Sequence, residues 1–314
     1  MIKITTVTGQ IAPEELELTD GHNHMWITGQ KVPASDAPVL DQPAEILAEL
    51  ITYREAGGRS QVDCQPIFAG RDGNRLRWLS LESGVQIVAC TGFHLQRYYP
   101  EEAPIWNMDG DQAYQLLSNE IKNGLQETRD SETGVVFPGF IKIAVEETLE
   151  KSPKHLVEAA VHASMDTGCL IELHTEKGQD IEAVTDFLVS LGLPPERLVI
   201  CHIDKRPEIA LHCDLASGGF GLEYDTFFRD KYQPEVNLWP LINEMVLAGY
   251  VQNLVFATDL ADAGLWAFGN GVGIASFPII VKARLRETGY EKKDILAMTG
   301  GNIARRLGIK LRSY

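Results

Sequence analysis

Thr19-Asp20-Gly21-His22-Asn23-His24-Met25-Trp26 puts two imidazoles one residue apart, where an apolar-leaning run of chain ends. On a β-strand, positions i and i+2 share a face, so His22 and His24 can reach one metal ion together. Four later strand-like runs finish on a further ligand-type residue: Lys142 in Phe140-Ile141-Lys142-Ile143, His174 in Glu172-Leu173-His174-Thr175, His202 in Cys201-His202-Ile203-Asp204, and Asp259 in Ala257-Thr258-Asp259. Taken singly, each has a bland reading: a satisfied core histidine, a structural ion pair, or, for Asp259, the N-cap of a following helix. Together they point to one metal centre and to a fold that gathers strand ends at one place.

Short β-branched runs alternate with amphipathic stretches nearly throughout, which favours parallel strands joined by crossover helices. Candidate strands lie at 18–25, 61–67, 86–92, 139–144, 170–175, 198–203, 219–224 and 254–259. Helical candidates include 43–56, 111–126, 153–167, 179–191, 238–248 and 277–288. About eight β/α units in this length match a (β/α)8 TIM barrel. A Rossmann fold lacks its GxGxxG after the first strand. Residues 1–314 read as a single domain, with 1–17 leading into the first strand and the stretch from Glu291 to Ile309 closing the barrel as one or two short helices.

The formal charge of −16, from 28 Lys and Arg against 44 Asp and Glu, argues against nucleic acid and against an anionic membrane as partners. A small-molecule substrate fits better. The five cysteines, at 64, 90, 169, 201 and 213, form no CxxC pair and read as reduced core thiols. The N-terminus has no apolar signal region and no run approaches the roughly 20 residues that span a bilayer, so a cytoplasmic protein is expected.

In a barrel of this kind, strand-end residues face the mouth that the βα loops surround. Six ligand-type groups exceed what one catalytic zinc takes, but suit two divalent ions about 3.5–4 Å apart. Lys142 is the exception, since an ammonium has no lone pair. Desolvated and neutral, its amine could capture carbon dioxide as a carbamate, a carboxylate on a long arm able to bridge both ions. The alternative is a lysine paired with Glu146 or Glu147. His155, His162 and His212 fall on expected helices and read as packing or surface residues, whereas His94 lies just past the third strand, where it could line the mouth.

These residues resemble the phosphotriesterase-like branch of the amidohydrolase superfamily. The likeness runs from Val7-Thr8-Gly9-Gln10-Ile11-Ala12-Pro13-Glu14-Glu15-Leu16 through His22 and His24, Val62-Asp63-Cys64 with Gly70-Arg71-Asp72, Thr91-Gly92-Phe93, Ile141-Lys142-Ile143-Ala144, His174-Thr175, His202-Ile203-Asp204 and Asp259. It ends at Met298-Thr299-Gly300-Gly301-Asn302-Ile303-Ala304-Arg305-Arg306-Leu307. The resemblance implies a (β/α)8 barrel with His22, His24 and Asp259 on the more buried ion, His174 and His202 on the exposed one, and carboxylated Lys142 across both. It further implies zinc, or manganese, cobalt or iron in its place, a bridging hydroxide as nucleophile, and Asp259 as proton acceptor. It also admits a homodimer.

Asn23 stands where the family commonly has Glu. Tyr224 stands where organophosphate hydrolases of the group have a relay histidine and many lactonase relatives an arginine, and His202-Ile203-Asp204-Lys205 is similar to the lactonase pattern. A lactone or carboxylic ester is therefore the expected substrate, with phosphotriester or amide hydrolysis as alternatives and a metal-binding protein without catalysis as a third. Loops 94–106, 226–239 and 260–272 are expected to set specificity, with His94, Tyr98, Tyr224, Arg229 and Trp266 as candidate substrate contacts. Arg71 is expected to pair with Asp72 or Asp63.

Overall fold

Strands buried on both faces lose the polar–apolar alternation of exposed sheets, which is why runs such as Leu198–Cys201 and Leu254–Phe256 are short and wholly apolar. The computed structural model describes residues 2–310. Strands β1 (Ile2–Thr6) and β2 (Gly9–Ile11) form a hairpin. The barrel strands follow: β3 (Thr19–Asn23), β4 (Ser60–Asp63), β5 (Gln86–Gly92), β6 (Phe140–Ala144), β7 (Leu170–His174), β8 (Leu198–Cys201), β9 (Gly221–Tyr224) and β10 (Leu254–Phe256). These eight run parallel in sequence order from β3 to β10, and β11 (Ile309–Lys310) pairs back onto β1.

The seam between β10 and β3 nearly closes the barrel. Asp259 N donates to the His22 carbonyl over 3.0 Å, and Asp20 accepts from Thr258 N at 3.0 Å and Thr258 Oγ1 at 2.5 Å. Gly21 permits this approach, because a Cβ there would meet Val255 Cγ1 at 2.6 Å. The crossover helices are α1 (Pro43–Glu55), α2 (Gly73–Ser83), α3 (Gly110–Asn123), α4 (Lys154–Thr167), α5 (Ile181–Ser190), α6 (Ile209–Ser217) and α7 (Leu238–Leu247). Asp72 starts α2 by accepting from the Asn74 and Arg75 amides at 3.0 Å, and Asp109 starts α3 in a capping box with Gln112.

Strand parity divides the core in two. Ile141, Ile143, Ile171, Leu173, Ile200, Leu222 and Tyr224 face outward and pack beneath the helices. Val62, Val88, Phe140, Leu170, Val199 and Val255 fill the lower barrel, sealed by Ile4 and Leu16 from the N-terminal segment and by Ile303 and Leu307 from α10 (Asn302–Leu307), the last of α8 (Lys282–Glu287), α9 (Lys292–Leu296) and α10. Above that apolar plug the inward positions turn polar.

Several strands stop sooner than the sequence suggests. The run expected at 254–259 leaves the sheet after Phe256, and that at 198–203 leaves after Cys201, because Asp259 and His202 adopt left-handed backbone angles, φ 47° and 65°. The helix expected at 277–288 is a wide turn at Phe277–Val281 that runs into α8, since Pro278 supplies no N–H there. The hairpin in the lead-in segment was not anticipated. Among the described residues, no helix is long and apolar enough to cross a membrane.

Candidate metal centre

Parity aims His22 and His24 into the barrel from the end of β3, Lys142 from β6 and His174 from β7, while the turns after β8 and β10 bring in His202 and Asp259. Three of the four imidazoles are held from behind. His22 Nδ1 lies 2.9 Å from Glu223 Oε2, His24 Nδ1 lies 2.8 Å from Gln65 Oε1, and His202 Nδ1 contacts Asp225 Oδ2. Each acceptor matches an N–H at Nδ1, the tautomer that leaves the Nε2 lone pair facing the centre.

In front, Nε2 of His22 and Nε2 of His24 each stand 3.7 Å from Asp259 Oδ1. His202 Nε2 faces His174 Nδ1 at 2.9 Å, and Lys142 Nζ lies 3.2 Å from His22 Nε2. The six groups therefore sort into a triad of His22, His24 and Asp259, a pair of His174 and His202, and a lysine reaching the triad. The donor atoms of that triad lie within 4.8 Å of one another and could hold an ion. His202 and Asp259 also carry backbone strain that non-glycine residues avoid unless their surroundings impose it, as happens at functional sites.

The protonation states suit metal ligation. Burial, reinforced by Lys142, keeps His22 well below the ordinary imidazole value, and burial also lowers His24 to about 4, against the pull of Asp259. Burial depresses His174 and His202 as well. Burial would raise Asp259, but Arg229 and His202 outweigh it and leave its carboxyl below the usual range. Neutral imidazoles and an ionised carboxylate are the metal-binding forms.

Lys142 differs from the expectation in one respect. Burial works against its charge, but Cys201, Cys64, Glu172 and Glu223 outweigh burial and raise its pKa. Desolvation alone does not neutralise this amine. Nor do Glu146 and Glu147 pair with it, since Arg97 and Lys151 take them. Glu172, raised by burial to about 7, accepts from Cys64 Sγ at 3.1 Å beneath the centre.

A cavity of about 160 Å³ opens above, lined by His22, His24, His94, Tyr98, His174, His202 and Asp259 together with Ile27, Val32, Pro38 and Val39. Its apolar wall comes from the stretch between β3 and α1, whereas loops 94–106, 226–239 and 260–272 were expected to dominate. The run Val32-Pro33-Ala34 to Ala37-Pro38-Val39 held the signal, being apolar in a long segment without regular structure. His94 and Tyr98 do reach the cavity; Tyr224, Trp266 and Arg229 do not line it.

Tyr224 faces outward because Glu223 and Asp225 take the inward phase of β9, and its hydroxyl meets His212 Nδ1 at 2.7 Å. Trp266 is buried and donates from Nε1 to the Leu260 carbonyl at 2.7 Å. Arg229 donates to Asp259 Oδ2 at 3.0 Å. Arg71 pairs with neither Asp72 nor Asp63; Glu120 and Glu127 clamp it, at 2.7 Å each. Gln65, Glu223 and Asp225 carry little signal in the sequence: Glu223 and Asp225 show only the period-two spacing of acids along and just past β9, and Gln65 shows none.

A sequence model of the phosphotriesterase family matches residues 2–306. The chain belongs to the phosphotriesterase family. Phosphotriesterase-family membership makes it a metal-dependent hydrolase and implies a binuclear divalent metal site. Among its relatives, the phospho-furanose lactonase of Mycoplasmopsis agalactiae is 24% identical over 247 residues, covering 74% of this chain and 69% of that one. The N-acetyltaurine hydrolase of Xenopus tropicalis is 27% identical over 305 residues, covering 82% and 84%. Among solved structures, a lactonase from Listeria monocytogenes superposes with a TM-score of 0.88 at 25% identity, covering 98% of this chain and all of that one, 100%.

Proposed function

We propose that this chain opens lactones or cleaves carboxylic esters at a binuclear centre, with His22, His24 and Asp259 around one ion, His174 and His202 around the other, and a carbamate of Lys142 shared between them. The observation that carries the reading is four buried or nearly buried imidazoles at one barrel mouth, three of them held from behind by buried acceptors, with Nε2 of His22 and of His24 each 3.7 Å from the ionised Asp259 and His202 Nε2 facing His174 Nδ1 at 2.9 Å. Zinc suits such a nitrogen-rich set; manganese, cobalt or iron would also fit.

Two divalent ions at this centre supply a polarising Lewis acid and an activated water at neutral pH. The protein's own residues do the rest. Asp259, held ionised by Arg229, is placed to accept a proton as the acyl carbon is attacked. The Ile27, Val32, Pro38 and Val39 wall excludes water and holds the apolar part of the substrate.

The lining also bears on substrate class. Among the described residues, no lysine or arginine lines the cavity. The names of the Mycoplasmopsis and Xenopus relatives carry a phosphate and a sulfonate, and, the proposed metal ions apart, no cationic side chain of the lining is there to pair with such groups. At about 160 Å³ the cavity is below the roughly 300–1,000 Å³ of drug-sized sites, so a compact uncharged ring suits it. Hydrolysis of a small amide is the second reading, favoured by the length of the match to the Xenopus enzyme. The five unpaired cysteines agree with a reducing, cytoplasmic setting, and we take residues 1–314 as one hydrolase domain.

A panel of lactones, aryl esters, N-acetyl amides and a phosphotriester, assayed by proton release after loading with zinc or manganese and bicarbonate, tests the reading. Turnover of lactones or esters at least tenfold above the others is expected. Amides reacting while lactones do not would replace it with the second reading.

A further inference from the structure

Glu223 has no place in the proposed ligand set, yet it sits at the centre of the barrel. Its side chain is fully buried on β9, facing inward. Oε2 meets His22 Nδ1 at 2.9 Å, and Oε1 has no hydrogen-bond partner but stands 3.7 Å from His202 Nδ1. One carboxyl group thus lies behind a histidine of each half of the centre. An unpartnered buried carboxyl oxygen costs roughly 1–3 kcal/mol, more if charged. Methionine would fill the same space without that cost.

The three supports also differ in kind. Gln65 behind His24 is a neutral amide, and Asp225 behind His202 has a cation within reach, Lys205 Nζ at 3.7 Å from Oδ1. Glu223 shares its surroundings with Glu172, Cys201 and His22, whose ligand-type atoms lie within 4.8 Å of one another. A ring whose Nδ1–H is fixed by an acceptor has one Nε2 direction left, and a carboxylate acceptor also makes that nitrogen a stronger donor.

We propose that Glu223 is the positioning residue of the centre: by accepting from His22 Nδ1–H it fixes the ring so that Nε2 points at the His22, His24 and Asp259 site, and it thereby sets the affinity of that site. The inference rests on the proposed ligand set but is tested by metal binding rather than turnover. Its failure therefore leaves the hydrolase reading intact, whereas loss of metal binding by the wild-type protein would remove that reading first.

The test compares Glu223→Met, which keeps volume and removes the acceptor, with Glu223→Gln, which keeps an acceptor oxygen. Zinc is titrated into the full-length apo protein against a chromophoric chelator. Glu223→Met should weaken one of two zinc equivalents by about 10–100-fold and leave the other within a few-fold, with apo-protein melting unchanged or raised. Glu223→Gln should restore most of the loss. Two equivalents bound by Glu223→Met as tightly as by wild type would overturn the proposal, as would equal weakening in both variants. If Glu223→Met fails to fold, the 1H–15N spectrum of the zinc-loaded wild type decides. A slowly exchanging His22 Nδ1–H resonance supports the proposal, and a His22 ring metallated at Nδ1 contradicts it.

Discussion

The lower and upper halves of the barrel interior are built by the same strands in the same phase, yet they obey opposite rules. Below, Val62, Val88, Phe140, Leu170, Val199 and Val255 interlock as a plug that asks nothing of its neighbours but volume. Two residues further along, the same inward positions of β6, β7 and β9 carry Lys142, Glu172 and Glu223, all fully buried. Burying such groups costs several kcal/mol unless something compensates. The difference teaches that the plug stabilises a cavity in which costly polar groups can be held rigid for chemistry.

Substitutions in the two halves should therefore separate activity from stability. The largest effect is expected at Asp259→Asn, where kcat should fall about 10³-fold or more while thermal unfolding changes little, as measured by turnover and calorimetry. Near-normal turnover would remove Asp259 from the reaction. Phe140→Ala, two positions below Lys142, should do the reverse. A loss of about 3–5 kcal/mol in denaturant unfolding is expected, with kcat of the folded fraction preserved.

The halves should also respond differently to pH. Because the pKa of Lys142 is raised, the neutral amine that captures carbon dioxide is the minor form at neutral pH, and its fraction rises about tenfold per pH unit below that pKa. Bicarbonate-dependent activation of apo protein should therefore quicken from pH 6.5 to 8.5; a flat rate would contradict a carbamate formed at Lys142. Smallest of all is Tyr224→Phe, which removes the hydroxyl contact with His212 outside the barrel. A loss of about 0.5–1.5 kcal/mol with unchanged KM is expected, and a large KM change would return Tyr224 to the substrate site.

The plug and the strand order were legible in the sequence because β-branched runs at regular spacing have one economical packing. The convergence of His22, His24, Lys142, His174, His202 and Asp259 was legible because each lies in the last half of a barrel strand or in the turn just past it. What escaped was phase and loops. Tyr224 was read as facing the mouth because nothing local distinguishes the inward from the outward phase of a strand buried on both sides, and a shift of one residue exchanges the faces. Arg71 found Glu120 and Glu127 through tertiary contact, at separations of 49 and 56 residues that no local pattern reports. The wall built from Ile27 to Val39 has no periodicity to read.

Anomalous diffraction at the zinc edge from crystals grown with zinc and bicarbonate tests the central claim most directly. The account predicts two peaks about 3.5–4 Å apart, one among His22, His24 and Asp259 and one between His174 and His202, with carbamate density joining Lys142 to both. A single peak, or two peaks with a bare Lys142 amine, would contradict it.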